Sequence, residues 1–303
     1  MRDEYSKMAT EQQNQETRNI DLCSTYEIVH MINREDESVA GSVKEALPQI
    51  AEAVERICES FRRGGHLFYI GAGTSGRLGV LDASECIPTF GVDKEMVQGY
   101  IAGGDTALRT AIERCEDNAQ LGKEQIRECG IGKDDVVVGI SASGSAAFVI
   151  GALHEAATRG AGTIAVVNNR NSKMRNCADI CIEAVTGPEV ISGSTRMKAG
   201  TAQKMILNML STASMIKMGK VYGNMMVDLK ATNRKLENRA ERIFCSITGK
   251  TKEEAIHYLK AASMDTKLAI FMCLSGLERE EAQKLLEESK GFLRLALERS
   301  KEG

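Results

Sequence analysis

Two short loops in this sequence carry the residue types that hold a phosphate. Gly71-Ala72-Gly73-Thr74-Ser75-Gly76 closes the apolar run HLFYI, and Ser141-Ala142-Ser143-Gly144-Ser145 closes the run DVVVGI. Each loop ends a strand-like stretch and opens a helix-like one. Hydroxyls and backbone N–H groups at a helix N-terminus bind an anion without needing a lysine. A single such loop is equally an N-cap with a tight turn. Two of them on one sheet favour a small phosphorylated metabolite. Gly71, Gly73 and Gly76 have the GxGxxG spacing, but a dinucleotide site also wants an acidic residue ending the second strand. Here that strand ends Tyr100-Ile101-Ala102-Gly103-Gly104, and Asp105 arrives late enough to cap the next helix instead.

Carboxylates supply the second kind of chemistry. Glu85 lies in LDASECIPTFG, after the helix opened by the first loop. Glu116 lies in AIERCEDNAQ, placed by periodicity on the helix that follows the second strand. Two carboxyl groups entering one cleft from separate elements can divide acid and base work. Position alone leaves Asp82, Glu113 and Asp117 equally eligible. His30, His66, His154 and His257 all fall outside the loops and read as structural, and the loops contain no GxSxG nucleophile motif.

The elements that must position these groups follow from the pattern of the chain. Apolar runs at 66–73, 96–104, 135–143, 162–169 and 178–185 alternate with helix-period segments, which argues for parallel βαβ units. The expected fold is α/β: a three-layer sandwich with about five parallel strands, N-terminal helices and a small C-terminal helical bundle. Ligands in such sheets bind beyond the carboxyl ends of the strands. The period of 43–61 predicts one helix stopped by Gly64-Gly65. The expected division is a helical arm over 1–56, an α/β domain carrying the phosphate loops over 57–220, and a helical region over 221–303. Within that last region, three amphipathic helices begin near 245.

Composition excludes several classes. With 303 residues, 43% of them hydrophobic, the chain can bury a substantial core. Its net charge of −3, with no basic cluster, gives no footprint for nucleic acid or a membrane surface. Tryptophan is absent and aromatics are 4%, too few for stacking platforms. The nine cysteines have no framework spacing; Cys177 and Cys181 read as reduced thiols on one face of a strand rather than metal ligands. No apolar run approaches the ~20 residues of a membrane span, and the polar start MRDEYSKMATEQQNQETRN is unlike a signal peptide. A cytoplasmic protein is expected.

The stretches GAGTSGRLGVLDASECIPTFGV, AGGDTALRTAIERCEDN, DVVVGISASG and PEVISGSTRMKAGTAQKMILNMLST…GKVYGNMMVDL closely resemble the N-acetylmuramic acid 6-phosphate etherases. TRNID and INREDESV near the N-terminus do so too, and the resemblance runs from about residue 10 to the end. It implies a sugar-isomerase (SIS) fold, a homodimer, and no metal, nucleotide or other cofactor. It also implies the reaction: the D-lactyl ether is eliminated and water added, giving N-acetylglucosamine 6-phosphate and D-lactate in cell-wall recycling. The family's catalytic glutamates fall on Glu85 (assigned as acid) and Glu116 (assigned as base). Gly73, Thr74, Ser75, Ser141, Ser143 and Ser145, with Ser194 and Lys198 from SGSTRMK, make up the expected substrate- and phosphate-binding set. In one place the chain departs from the family, which usually continues SASG with Arg-Thr-Pro. Here Ser145-Ala146-Ala147 follows, without the hydroxyl and the cation, so Arg77, Arg196 or Lys198 would have to supply charge. Two relatives of the reaction stay open beside it. One is an aldose–ketose isomerase; the other is a non-catalytic sensor such as the glucokinase regulatory protein, which resembles this family.

Overall fold

All five apolar runs form strands, and the computed structural model describes residues 8–110, 112–229 and 234–301. An N-terminal 3₁₀ turn, Ala9–Glu11, leads to helix α1 (Thr25–Asp36), which Ser24 and Glu27 open with a reciprocal capping box. The single helix expected over 43–61 is broken at Ala46 into α2 (Val39–Glu45) and α3 (Leu47–Arg62), because Pro48 suits the first turn of a new helix.

The α/β body then runs β1 (Leu67–Gly71), α4 (Gly73–Phe90), β2 (Val97–Ile101), α5 (Gly104–Arg109), α6 (Ala119–Glu128), β3 (Val136–Ser141), α7 (Ala147–Thr158), β4 (Gly162–Val167) and β5 (Ile180–Glu183). The strands are all parallel, in the order β2-β1-β3-β4-β5. Strands β1, β3 and β4 are buried along their whole length, as apolar runs covered on both faces must be.

The two faces of the sheet take different helices. Phe68, Ile70, Val137 and Val167 pack with Phe148, Val149 and Leu153 of α7. Gly139 brings that helix close: a Cβ there would sit 2.7 Å from Val149 Cγ1. On the opposite face Gly79 of α4 lies against Tyr69 and Ile140, while Arg56 of α3 lies against Gly162. Three layers result, as expected.

The chain divides into two compact units. The first runs to Ser84 and resumes over Glu95–Ser211; the second takes Glu85–Lys94 and the chain from Thr212 onward. Helix α8 (Lys198–Lys217) is followed in the second unit by a short antiparallel pair, β6 (Val221–Tyr222) and β7 (Met225–Met226). Five helices complete the unit: α9 (Arg234–Thr248), α10 (Lys252–Ala261), α11 (Thr266–Ser275), α12 (Arg279–Glu288) and α13 (Leu293–Arg299). The last four stand where three had been expected. Lys290 and Gly291, both at positive φ, split the last expected helix into α12 and α13.

Helix α11 is not amphipathic, since Thr266 through Met272 are all buried, and it is the axis around which the others pack. Its one cation, Lys267, has its ammonium within 3.0 Å of Gly219 O, 2.8 Å of Gly291 O and 2.8 Å of Asp228 Oδ1. Burial pushes the Lys267 pKa below its ordinary value, although Asp228 pulls the other way.

Candidate active site

The neighbouring strands β1 and β3 end side by side, with Gly71 opposite Ile140, and their chains leave in opposite directions across the sheet. This is the topological switch point of a 2-1-3-4-5 sheet, where ligands of open α/β folds bind. A cavity of about 390 Å³ opens there. It is lined by Gly73, Thr74 and Ser75 from the first loop and by Ser141, Ser143 and Ser145 from the third, with Glu116, Asp117, Glu11 and Thr195. A larger cavity of about 570 Å³ follows the edge strand β5, but its charged lining pairs with itself, Arg175 meeting Glu183 at 2.7 Å. Its lining follows β5 along the sheet edge and takes nothing from the two glycine- and serine-rich loops, so the switch-point cavity is the better candidate.

The third loop is built by its own serines. Ser141 Oγ accepts the backbone N–H of Gly144 at 3.1 Å, and Ser143 Oγ accepts that of Ser145 at 3.2 Å. The hydroxyls of Ser143 and Ser145 lie 2.8 Å apart. Gly144 turns the chain with φ +66°, and a Cβ there would fall 2.4 Å from Ser172 Cβ, so the turn admits glycine alone. In the first loop, Ser75 gives its hydroxyl proton to Gln203 Oε1 at 2.8 Å, and Gln203 Nε2 donates to Asn168 Oδ1 at 2.9 Å. What Ser75 offers an anion is its place in the first turn of α4, where N–H groups and the positive end of the helix dipole converge.

Glu116 was expected on a helix. It lies in a turn between the 3₁₀ segment Glu113–Cys115 and α6, because Asn118 caps α6 by accepting from Gln120 N and Leu121 N. Phe148 N, one residue into α7, donates to Glu116 O at 2.9 Å. That bond fixes the turn beside the third loop and puts the half-buried Glu116 into the cavity lining. Of the other eligible carboxylates, Asp117 shares the lining, whereas Asp82 is buried and accepts from Tyr69 Oη, Asn208 Nδ2 and Ser211 Oγ. Such full satisfaction is structural. The side chain of Glu113 lies outside the described residues.

Glu85, Ser194 and Lys198 do not line the cavity. Glu85 is exposed on α4, twelve residues beyond Gly73, about 18 Å along the helix axis. Lys198 is buried with its ammonium 2.6 Å from Glu35 Oε2. Arg77 donates to the carbonyls of Ala107 and Leu108 at the end of α5, and Arg196 is exposed and outside the lining. Among the described residues, therefore, the cavity lining contains no lysine or arginine. Cys177 precedes β5 instead of lying in it, half-buried and 3.4 Å from His154 Nε2; Cys181 is in the strand, its pKa pushed by burial to about 11. All nine cysteines are free thiols.

Glu11 and Thr195 belong to the cavity without having been singled out in the sequence. No local pattern marks Glu11, since its position depends on Thr10 meeting Asn169 at 2.9 Å, 159 residues away. No group of three or more His, Cys, Asp or Glu suited to a metal ion occurs among the described residues, nor any helix long and apolar enough to cross a membrane.

Comparison with known proteins places this geometry. Residues 49–157 match the glucokinase regulatory protein N-terminal SIS domain family, and residues 128–213 match the SIS domain family. Phosphoheptose isomerases from Neisseria gonorrhoeae (TM-score 0.50, 21% identity, 63% of this chain and 98% of that one) and Francisella tularensis (TM-score 0.51, 18% identity, 64% and 100%) share the fold. Full-length relatives are far closer in sequence. An N-acetylmuramic acid 6-phosphate etherase of Clostridium botulinum strain Hall is 52% identical over 95% of both chains. Those of Clostridium beijerinckii and Actinobacillus succinogenes are 52% and 54% identical over 96% of both. With that identity along almost the whole chain, on a SIS fold with its cavity at the switch point, the chain belongs to the N-acetylmuramic acid 6-phosphate etherase family.

Proposed function

We propose that this protein cleaves the D-lactyl ether of N-acetylmuramic acid 6-phosphate by elimination followed by hydration. The observation that carries the reading is the cavity in which a carboxylate, Glu116, meets two hydroxyl-bearing helix N-termini. The phosphate is received by Thr74, Ser143, Ser145 and the first turns of α4 and α7. In the open-chain aldehyde, the carbonyl acidifies the proton on carbon 2. Glu116 removes that proton, and the electron pair forms the carbon 2–carbon 3 double bond as the carbon 3–oxygen bond breaks. The departing lactate oxygen takes its proton from Glu85 in the acid form. Glu85, now a carboxylate, accepts a proton from water adding at carbon 3, and Glu116 returns its proton to carbon 2. Both groups end as they began.

Glu85 reaches this cavity in a homodimer, from the second copy. Its helix face supports that arrangement: Leu81, one turn before Glu85 on the same face, is a large apolar side chain 50% exposed. Helix α1 buries none of its residues and exposes Tyr26 and Val29, a second apolar face that a copy of the chain would cover.

The test is lactate release from N-acetylmuramic acid 6-phosphate by the purified protein. Release that falls at least a hundredfold in Glu116→Gln and in Glu85→Gln is expected. No lactate from the wild type, with ketose formed from a sugar phosphate instead, would establish an isomerase. Binding with neither product would establish a sensor.

A further inference from the structure

The cavity has a wall that the reaction above does not use: the 3₁₀ turn Ala9–Glu11, which ends in a carboxylate lining the pocket. This turn is not a loose tail. Thr10 is fully buried, its backbone N–H donating to Asn169 Oδ1 at 3.4 Å and its Oγ1 accepting from Asn169 Nδ2 at 2.9 Å. The same Nδ2 donates to the carbonyl of Ala142, a residue of the third loop that itself lines the cavity. Asn169 is 3% exposed, so one buried amide holds the N-terminal turn and the phosphate loop in a fixed relation. Seven residues on, Thr17 Oγ1 donates to Val190 O at 2.8 Å and is also buried.

Between those anchors the Glu11 side chain is held over Gly193, where a Cβ would meet Oε2 at 3.4 Å, while Glu11 itself remains exposed to the cavity. Among the described residues Glu11 has no ion-pair partner, and the cavity offers it no lysine or arginine. A carboxylate held open in a sugar-sized pocket is an acceptor for hydroxyl donors. It cannot serve the phosphate, which it repels.

We propose that Glu11 is a substrate-contacting specificity residue, accepting a hydrogen bond from a hydroxyl of the bound sugar, and that Thr10 and Asn169 are its positioning residues. The proposal rests on the sugar-phosphate reading of the cavity and deepens it. It assigns to the N-terminal turn the recognition of the polyol, as distinct from the phosphate and the ether.

The experiment measures equilibrium binding of N-acetylglucosamine 6-phosphate and its 1-deoxy, 3-deoxy and 4-deoxy forms to the full chain, wild type and Glu11→Ala. A charge-assisted hydrogen bond predicts about a tenfold or greater loss of affinity for the parent sugar in Glu11→Ala, with an unchanged melting temperature. For one deoxy ligand that loss should vanish, because the partner hydroxyl is already gone. Thr10→Val, which loosens the turn and keeps the carboxylate, should weaken the parent sugar and spare the same deoxy form. An equal loss for all four ligands, no loss for any, or no binding of the parent sugar by the wild type overturns the proposal. Lactate release by the wild type is scored separately and decides the etherase reading; the ligand series decides Glu11 whichever way that assay falls.

Discussion

Nζ of Lys198 lies 2.6 Å from Oε2 of Glu35, with the two side chains only 4% and 16% exposed. Asn14 Nδ2 donates to the same oxygen at 2.8 Å. Burial pushes the Glu35 carboxyl up, but Lys198, Asn14 and the charge of Arg34 outweigh it and hold the pKa below its ordinary 4.5. A lowered carboxyl pKa stabilises the folded state fully above 4.5 and loses that contribution as pH falls through the folded value. Lys198→Met, which leaves a buried carboxylate unpaired, should cost about 3 kcal/mol at pH 7 and much less at pH 3. Thermal unfolding at the two pH values checks this; an equal loss at both would sink it.

A second carboxylate on the same helix end behaves oppositely. Glu189 is completely buried, and its two oxygens accept from Lys198 N and Ala199 N at 2.9 Å, capping α8. Burial raises its pKa despite those bonds. Its stabilising contribution is therefore complete below the ordinary 4.5 and declines as pH rises through the raised folded value. Glu189→Gln keeps one accepting oxygen and should remove that decline. Glu189→Ala leaves both donors orphaned and should cost about 2 kcal/mol or more. Denaturant midpoints for the two variants across pH 4 to 8 give the comparison, and equal destabilisation by both would refute the cap.

The third loop is open to repair. Ala146 is the N-cap of α7 with φ −56° and ψ 112°, and Ala147 is its first residue. Threonine suits the first of those positions and proline the second. Replacing Ser145-Ala146-Ala147 by Arg-Thr-Pro moves a hydroxyl from position 145 to 146 and adds to the cavity wall a cation that its described lining lacks. The KM for the muramic acid 6-phosphate should fall about fivefold or more for one added hydrogen bond, with kcat little changed. An unaltered KM would mean that Ser145 and the helix termini already satisfy the phosphate.

Assembly of the catalytic pair across two copies can be read from mixed dimers. Glu85→Gln and Glu116→Gln chains should each be inactive alone. Co-refolded in equal amounts, they should regain about a quarter of wild-type lactate release, because half the dimers are mixed and each mixed dimer holds one intact site. If both glutamates of a site come from one chain, the mixture stays inactive.

The sheet was legible because each strand is a short apolar run and most have a glycine boundary, and the two phosphate loops were legible because their chemistry is local. Glu116 was placed on the wrong element because periodicity runs unbroken through ALRTAIERCEDNAQ. Only the cap at Asn118 and the bond from Phe148 N to Glu116 O, 32 residues away, reveal the turn. Pairing of Lys198 with Glu35 and the approach of Glu11 to the cavity are set by contacts more than 150 residues apart, for which no window of sequence carries a signal. The split of the last helix did carry one, in Lys290-Gly291, masked by the strong apolar spacing on either side.

The clip between Thr10 and Asn169 also orders events in time. Thr10 meets Asn169, Thr17 meets Val190 and Glu35 meets Lys198 across separations of 159, 173 and 163 residues. Loop-closure entropy makes such contacts late in folding, and during synthesis they cannot form until the middle of the chain has left the ribosome. This segment, made before its partners, is thus among the last to settle. A nascent chain holds one wall of the cavity open until the turn at Ala9–Glu11 returns to close it.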